Sequence, residues 1–453
     1  MLNYELEFSA SKELITPCET ATMIGFGTMF GVPFQDIHDD LYVRTLLLKD
    51  KDGEVVLMLA MDLLFHDDSL PNALREYVNE KYGVDKNNLH ISYTHTHFGP
   101  AVKGYDFNWY TESYEKFIFD RACKSIDKAF LTIKKGRMKY SYVTGEWNIS
   151  RRLLVNGVAE FRPSPDGEVD KNLYLLKLED ETGKMRALVL NFGCHPSNLR
   201  SYSVLSSEYP GRLCQRIESE FYGCTALFFQ GFGADSKLKI GMKSSGFTGI
   251  SYEDCDEVAL SMTERIKKKM LENSWKELPI DLGSRVFKLD LPLEINEKEY
   301  YQEVSAAHAA KPGEHFVKVP GSVDTTSRNS NNLFWACADY VIDNYDNLPE
   351  SIDLNCGVIR INPNFYIFSM GGEPGCNIGT ILRQNMPDID IVCFGYNDAI
   401  AYIPSDKMIA EGGYEAGDRV NRSIPEYRLK GSVKPGVDKI YCEGFKKAIS
   451  EIK

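Results

Sequence analysis

Short apolar runs alternate along this chain with amphipathic segments whose apolar positions recur every third or fourth residue. The runs predict strands at Leu41–Leu48, Val55–Asp62, Leu89–Thr94, Met138–Val143, Leu173–Leu178, Ala187–Phe192 and Ala226–Phe229, then at Ser284–Leu289, Gly357–Ile361, Phe365–Ser369 and Ile389–Phe394. The helical periodicity predicts helices at Leu70–Lys81, Trp109–Thr132, Tyr209–Glu220, Asp254–Asn273, Glu297–Ala309, Ser330–Tyr345 and Cys376–Asn385, with Val437–Ser450 closing the chain. Strands and helices in alternation predict an α/β fold built in layers. Residues 311–332, rich in Gly, Pro, Ser, Thr and Asn, carry no period and predict a long loop, either a lid or a surface connection.

With 453 residues the chain fits one large α/β unit, and a single domain over 1–453 is expected. A net charge of −13 argues against nucleic acid or an anionic membrane surface as partner. The start, Met1-Leu2-Asn3-Tyr4-Glu5, has neither the basic nor the apolar region of a secretion signal, and no segment is long and apolar enough to predict a membrane span. The eleven cysteines are odd in number and form no Cys-x-x-Cys pair, which reads as reduced thiols in a cytoplasmic protein.

The chemistry gathers where the apolar runs stop. They end in Asp62, in His95 and His97, in His195-Pro196-Ser197, in Gln230-Gly231-Phe232-Gly233-Ala234-Asp235, in Gly371-Gly372-Glu373-Pro374 and in Gly395-Tyr396-Asn397-Asp398. Open α/β sheets bind ligands beyond the carboxyl ends of their strands, so six such ends predict one site. Only eight histidines exist, and three lie in this set. His95 and His97, two apart at the end of an extended run, are expected to face one small volume. Taken alone, His195 reads as a buried histidine bonded to backbone. Beside the His-x-His pair and Glu373 it reads as a ligand, since two imidazoles and a carboxylate with an open position make a catalytic zinc site. Asp62 is expected either to hold a ligand histidine through its free ring N–H or to be a structural strand-end carboxylate. Asp235 is open in the same way.

Spacing weighs against three other zinc sites. Gly99 and Pro100 stand where a His-x-His-x-Asp-His motif needs Asp and His, only His195 is well placed of the two further histidines an amidohydrolase barrel needs, and no His-Glu-x-x-His occurs. His90, inside a strand, reads as structural.

Further motifs frame these residues: Gly25-Phe26-Gly27 with Asp39-Asp40-Leu41-Tyr42-Val43-Arg44, Met61-Asp62, Thr94-His95-Thr96-His97-Phe98-Gly99-Pro100 and Asn148-Ile149-Ser150-Arg151. Cys194-His195-Pro196-Ser197, Ser207-Glu208-Tyr209-Pro210-Gly211, the run from Gln230 to Asp235, Gly372-Glu373, Asn397 to Tyr402, and Tyr414-Glu415 follow. In this order the chain resembles the catalytic domain of the neutral, non-lysosomal ceramidase family, which hydrolyses N-acyl amide bonds with zinc. The resemblance implies mixed β-sheets flanked by helices and a Zn²⁺ ion held by His95, His195, Glu373 and, as nearest candidate, Tyr402; Ala399 stands at another position where members carry tyrosine. It places His97 near the reacting carbonyl. Arg151 it makes a residue that positions substrate or stabilises charge, the alternative being a structural ion pair, and Arg152 leaves the register open. Asp235 completes the expected catalytic set. The run Ala234-Asp235-Ser236-Lys237-Leu238 departs from the family's Gly-Asp-x-Ser-Pro-Asn: the serine is displaced, Lys237 takes its place, and Ser236 is not expected to be a nucleophile. The family's C-terminal sandwich domain is not expected in this chain.

The expected function is therefore zinc-dependent hydrolysis of an amide or ester carbonyl in a lipid or small-molecule substrate. Two alternatives remain: the same centre acting on a small polar, sugar-derived or acylated metabolite, and a non-catalytic metal-binding relative of such enzymes.

Overall fold

Strand residues of opposite parity feed different cores. Leu46, Leu48, Val56, Met58 and Ala60 face one side of their sheet, while Leu47, Leu57, Leu59 and Met61 face the other. Both faces are covered, which is why these strands read as continuous apolar runs. The computed structural model describes residues 4–26, 31–104, 110–308, 331–398, 401–417 and 427–452. It is a sandwich of two mixed sheets with helices on both outer faces.

The first sheet runs Thr225–Gln230, Met185–Phe192, Asn172–Asp180, Lys134–Thr144, Leu6–Leu14, Tyr42–Lys49, Val55–Met61, Leu89–Tyr93, and Lys276–Leu278 also pairs with Lys134–Thr144. Both ends of that path are parallel pairs. The second runs Asp390–Phe394, Phe365–Met370, Ser351–Asn362, Gly283–Ile295, Gly431–Val433, again with a parallel pair at one edge. Between the sheets Leu46, Met58, Leu176 and Val189 meet Ile359, Ile367 and Val392. Phe229 stacks on Phe394 across the gap, with ring centroids 4.5 Å apart.

Helices Ser69–Tyr82 and Glu112–Leu131 cover one half of the first sheet's outer face, and Glu208–Glu220 and Tyr252–Met270 cover the other. Cys376–Asn385 and Val437–Ser450 cover the second sheet. The helix Tyr252–Met270 shows how the sequence specifies one of them. Ser251 and Asp254 form a reciprocal capping box, worth about 1 kcal/mol, and Cys255, Val258, Ala259, Met262 and Ile266 make its buried stripe. Lys267, Lys268 and Lys269 sit at the negative end of its dipole.

Some boundaries differ from those the pattern predicts. Gly283–Ile295 and Ser351–Asn362 are long antiparallel partners of which only the apolar centres are legible. The strand Leu6–Leu14 and the hairpin Asn148–Val155/Val158–Ser164 have no counterpart in the apolar pattern. The helix expected from Trp109 starts at Glu112, capped by the Thr111 hydroxyl. A helix begins at Asn331, and the rest of the expected 311–332 loop lies outside the described residues.

The Phe229–Phe394 contact ties the two sheets. Phe229→Ala is expected to destabilise the fold by about 3–5 kcal/mol, read as a lower urea midpoint; a loss near zero would show that the sheets are held elsewhere.

Candidate metal centre

Three parallel strand pairs end at one place, and hydrogen bonds lock their ends together. Asn191 Nδ2 donates to the carbonyls of Phe229 at 2.9 Å and Cys393 at 3.0 Å, and the Gly395 N–H donates to Gln230 O at 2.8 Å. The Tyr93 N–H reaches Tyr396 O at 3.0 Å. On this platform His95 and His97 follow the Leu89–Tyr93 strand, His195 follows Met185–Phe192, and Glu373 follows Phe365–Met370.

The chain does not stay extended through His95, contrary to the spacing argument. His95 is left-handed, with φ +62°, after Thr94 N–H and His95 N–H bond to Met61 O and Leu63 O. The two rings nonetheless meet, with centroids 5.0 Å apart, and His195 lies 4.8 Å from each. The His97 N–H donates to Pro196 O at 3.1 Å and the His195 N–H to Ser236 O at 3.1 Å, so the two loops brace each other.

Backbone carbonyls fix which ring nitrogens carry protons. His97 Nδ1 lies against the Gly25 carbonyl, which can only accept, so Nδ1 holds the proton and Nε2 the lone pair. That lone pair accepts from His195 Nε2 at 2.8 Å. His195 must therefore present the lone pair of Nδ1. His95 Nδ1 donates to Leu64 O at 2.8 Å, so its Nε2 is likewise a lone pair. Glycine is required at 25, because a Cβ there would sit 1.8 Å from the His97 carbonyl oxygen.

Both lone pairs aim at one carboxylate oxygen. Glu373 Oε2 is 3.4 Å from His95 Nε2 and 3.7 Å from His195 Nδ1, beyond good hydrogen-bond reach. These same three atoms are buried with no hydrogen-bond partner. The residues are 4%, 1% and 6% exposed, so water does not serve them. Three converging acceptors repel unless a cation lies among them. Two imidazole nitrogens and a carboxylate oxygen suit a zinc-like divalent ion. The three histidines alone also bring ligand atoms within 4.8 Å of one another. Both His97 nitrogens are engaged, however, so Glu373 completes the better donor set.

Around this trio, the Tyr427 hydroxyl donates to Glu373 Oε1 at 2.5 Å, a contact that sequence reasoning missed. Tyr402 pairs with Glu373 in parallel register, so both side chains share a face. Its hydroxyl accepts from Arg151 Nη2 at 3.2 Å. Arg151 Nε and Arg152 Nη1 take one oxygen each of Glu415, both at 2.7 Å. A bulge between Ser150 and Arg152 lets consecutive residues reach one carboxylate and settles the register: Arg151 faces Tyr402, while Arg152 bonds the Gly412 carbonyl. Burial opposes ionisation of Glu373, but His95, the Tyr427 hydrogen bond and the Arg151 charge hold its carboxyl below the ordinary range.

For the two aspartates left open, the structure shows bonds away from the trio. Asp62 pairs with buried Arg44 at 2.5 Å and accepts the Tyr42 N–H, while His95 is held by a carbonyl instead. Asp235 gives both oxygens to the N–H and thiol of Cys376, at the start of the helix Cys376–Asn385, rather than to the trio. Ser236 bonds the Gly193 and Gly233 carbonyls. His90 bonds Ser284 at 2.5 Å inside the fold.

Burial, with Arg151 and His95 nearby, pushes His195 well below the ordinary histidine value, and burial with His95 does the same to His97. Below about pH 6.5 the unfolded chain then binds more protons at these positions than the folded one, so their contribution to stability falls as pH drops. His66, raised to about 9, acts with the opposite sign. In metal-free protein, His97→Gln should therefore flatten the loss of urea stability between about pH 7 and about pH 5. A slope equal to wild type would contradict a neutral His97.

Comparison with known proteins gives this geometry its context. Residues 10–231 match the family described as neutral/alkaline non-lysosomal ceramidase, N-terminal. Neutral ceramidase A of Dictyostelium discoideum is 24% identical over 262 residues, covering 54% of this chain and 37% of that protein. The neutral ceramidase of Oryza sativa subsp. japonica is 25% identical over 242 residues, covering 48% and 30%. The chain thus spans about a third of the length of these relatives. The crystal structure of neutral ceramidase from Pseudomonas aeruginosa superimposes with a TM-score of 0.69 at 16% identity, over 98% of this chain and 75% of that one. A ceramidase structure described as complexed with C2 gives 0.70, also at 16% identity, over 98% and 76%. Residues 10–231 thus match the N-terminal region of the neutral/alkaline non-lysosomal ceramidase family, and the described fold is that of neutral ceramidase structures.

Proposed function

We propose that this protein is a zinc-dependent hydrolase of N-acyl amides. The observation that carries the proposal is the convergence of three unpartnered buried atoms, His95 Nε2, His195 Nδ1 and Glu373 Oε2, beside a buried arginine. Tyr402, on the Glu373 face, would be the fourth donor available to the ion. A zinc ion held there supplies a Lewis acid and lowers the pKa of a bound water to about 7.

The chain's own residues supply the rest. Arg151 is charged, buried and fixed by Glu415, so it can stabilise negative charge on a carbonyl oxygen without reorganising. Its Nη2 also donates to the Tyr402 hydroxyl, which orients that side chain. His97 has both ring nitrogens engaged, so in this geometry it fixes the tautomer of His195 rather than donating to substrate. Tyr427 ties down one Glu373 oxygen and leaves the other for the ion.

The names of the relatives point to a lipid amide such as ceramide. A second reading, a small polar acylated metabolite, is favoured by the charged surroundings of the trio, which include Arg151, Arg152 and Lys237. The eleven free thiols, ten of them buried, support a reducing compartment such as the cytoplasm.

Elemental analysis of purified protein should find zinc, and His195→Ala or Glu373→Gln should remove most of it; zinc content unchanged by either would refute the ligand set. Chelation should abolish hydrolysis of N-acyl substrates, and zinc should restore it. Arg151→Met should lower kcat about 10²–10³-fold with metal content intact; an unchanged kcat would remove Arg151 from the reaction.

A further inference from the structure

Beside the trio stands a lysine that forms no ion pair with a carboxylate among the described residues; the Glu208 charge acts on it without contact. Lys237 lies in the strand Ser236–Leu238, next to the residue whose carbonyl accepts the His195 N–H. Its Nζ donates to the Ser197 carbonyl at 2.8 Å, against the loop that presents His195. An ammonium has three donors, and this contact occupies one. Apart from Glu373, which faces the two histidines, the nearby described carboxylates are engaged elsewhere. Glu415 is shared by Arg151 and Arg152, and Glu208 gives its oxygens to Asn198 and to the Tyr209 N–H. Burial and the nearby Arg151 bring Lys237 down to about 8, as expected for a cation short of an anion.

A row of aromatic rings leads to the same place. Phe247 and Phe161 lie 6.1 Å apart, Phe161 and Tyr414 5.9 Å, Tyr414 and Tyr402 5.2 Å, and Tyr402 and Tyr427 5.5 Å. Phe161 is 44% exposed and Tyr427 bonds Glu373, so the row runs from the surface to the metal-facing carboxylate. The cations lie along it, Arg151 4.7 Å from the centre of Phe161 and Lys237 5.8 Å from that of Phe247.

We propose that this approach selects an acyl substrate bearing a carboxylate, which Lys237 binds while the scissile carbonyl meets Arg151 and the trio. Arg151 and Arg152 share Glu415, and Glu411 lies 3.5 Å from Arg152, so among the described residues the Lys237 charge is the one left over and a monoanion balances it. The role of the scissile bond rests on the hydrolase reading above, but the charge preference is a property of binding and is tested as one.

Zinc-loaded protein is mixed with two pairs of probes, and binding is read by stopped-flow fluorescence before turnover. One pair is N-octanoylglycine and its N-methylamide, with the acid on the amine side. The other is N-octylsuccinamic acid and its methyl ester, with the acid on the acyl side. In at least one pair the acid should bind on the order of tenfold to a hundredfold more tightly than its neutral partner. Lys237→Gln, which keeps a donor for Ser197 but loses the charge, should erase that preference with zinc content unchanged. Lys237→Arg should keep most of it. Equal affinity in both pairs, or a preference that survives Lys237→Gln, overturns the proposal, and the wild-type comparison decides even if the variants do not fold. Acids that bind preferentially but are never cleaved would support the Lys237 role and defeat the hydrolase reading instead.

Discussion

The Gly25 carbonyl is the contact on which the site depends. Because an amide oxygen only accepts, it fixes the proton of His97 on Nδ1. His97 then accepts from His195, and His195 must turn a lone pair toward Glu373. The Leu64 carbonyl does the same for His95 through a single bond. Two backbone oxygens thereby decide the electrostatics of a buried pocket, and they decide it in favour of a cation. The account also explains why Gly25 tolerates no side chain: a Cβ would push into the backbone of His97 itself.

The fold makes this possible by ending strands of two sheets at one level. The carboxyl ends of three parallel pairs are stitched by Asn191, Gln230, Gly395 and Tyr396, which fixes the positions from which the loops bearing His95, His195 and Glu373 depart. Departure is strained. His95, Glu208 and Tyr396 all hold positive φ, a conformation that costs non-glycine residues about 1–3 kcal/mol each. Each is held by local bonds: His95 N–H to Leu63, Tyr396 O from Tyr93, and the Glu208 side chain to Asn198, whose amide in turn bonds the His195 carbonyl. Strain at these corners is the consequence of turning the chain sharply off a rigid platform.

Much of this was legible in the residues. Continuous apolar strands announced sheets buried on both faces, and the scarcity of histidine made three strand ends stand out. Carboxylates at strand ends were ambiguous for a physical reason: a buried aspartate is satisfied equally by an arginine, as Asp62 is by Arg44, or by a helix N-terminus, as Asp235 is at Cys376. Burial alone does not separate those uses from catalysis. Tyr427 was hidden among twenty-five tyrosines, since only its contact with Glu373 distinguishes it. The hairpin carrying Arg151 escaped the apolar pattern because its inward residues include arginines, yet its Asn156-Gly157 turn, with φ of 52° and 85°, bears the standard signature of a two-residue hairpin. The spacing of His95 and His97 led to the right neighbourhood through a wrong premise: it is the left-handed turn at His95, not an extended strand, that accompanies the meeting of the rings.

The ceramidase match, the lone-pair geometry and the proposed charged approach describe one centre at three scales. The most direct test of the central claim is an anomalous difference map, at the zinc absorption edge, from crystals grown with zinc. The account predicts a single strong peak about 2.0–2.2 Å from His95 Nε2, His195 Nδ1 and Glu373 Oε2. A peak bound through His97, one reached through His195 Nε2, or an empty map at that position would contradict it.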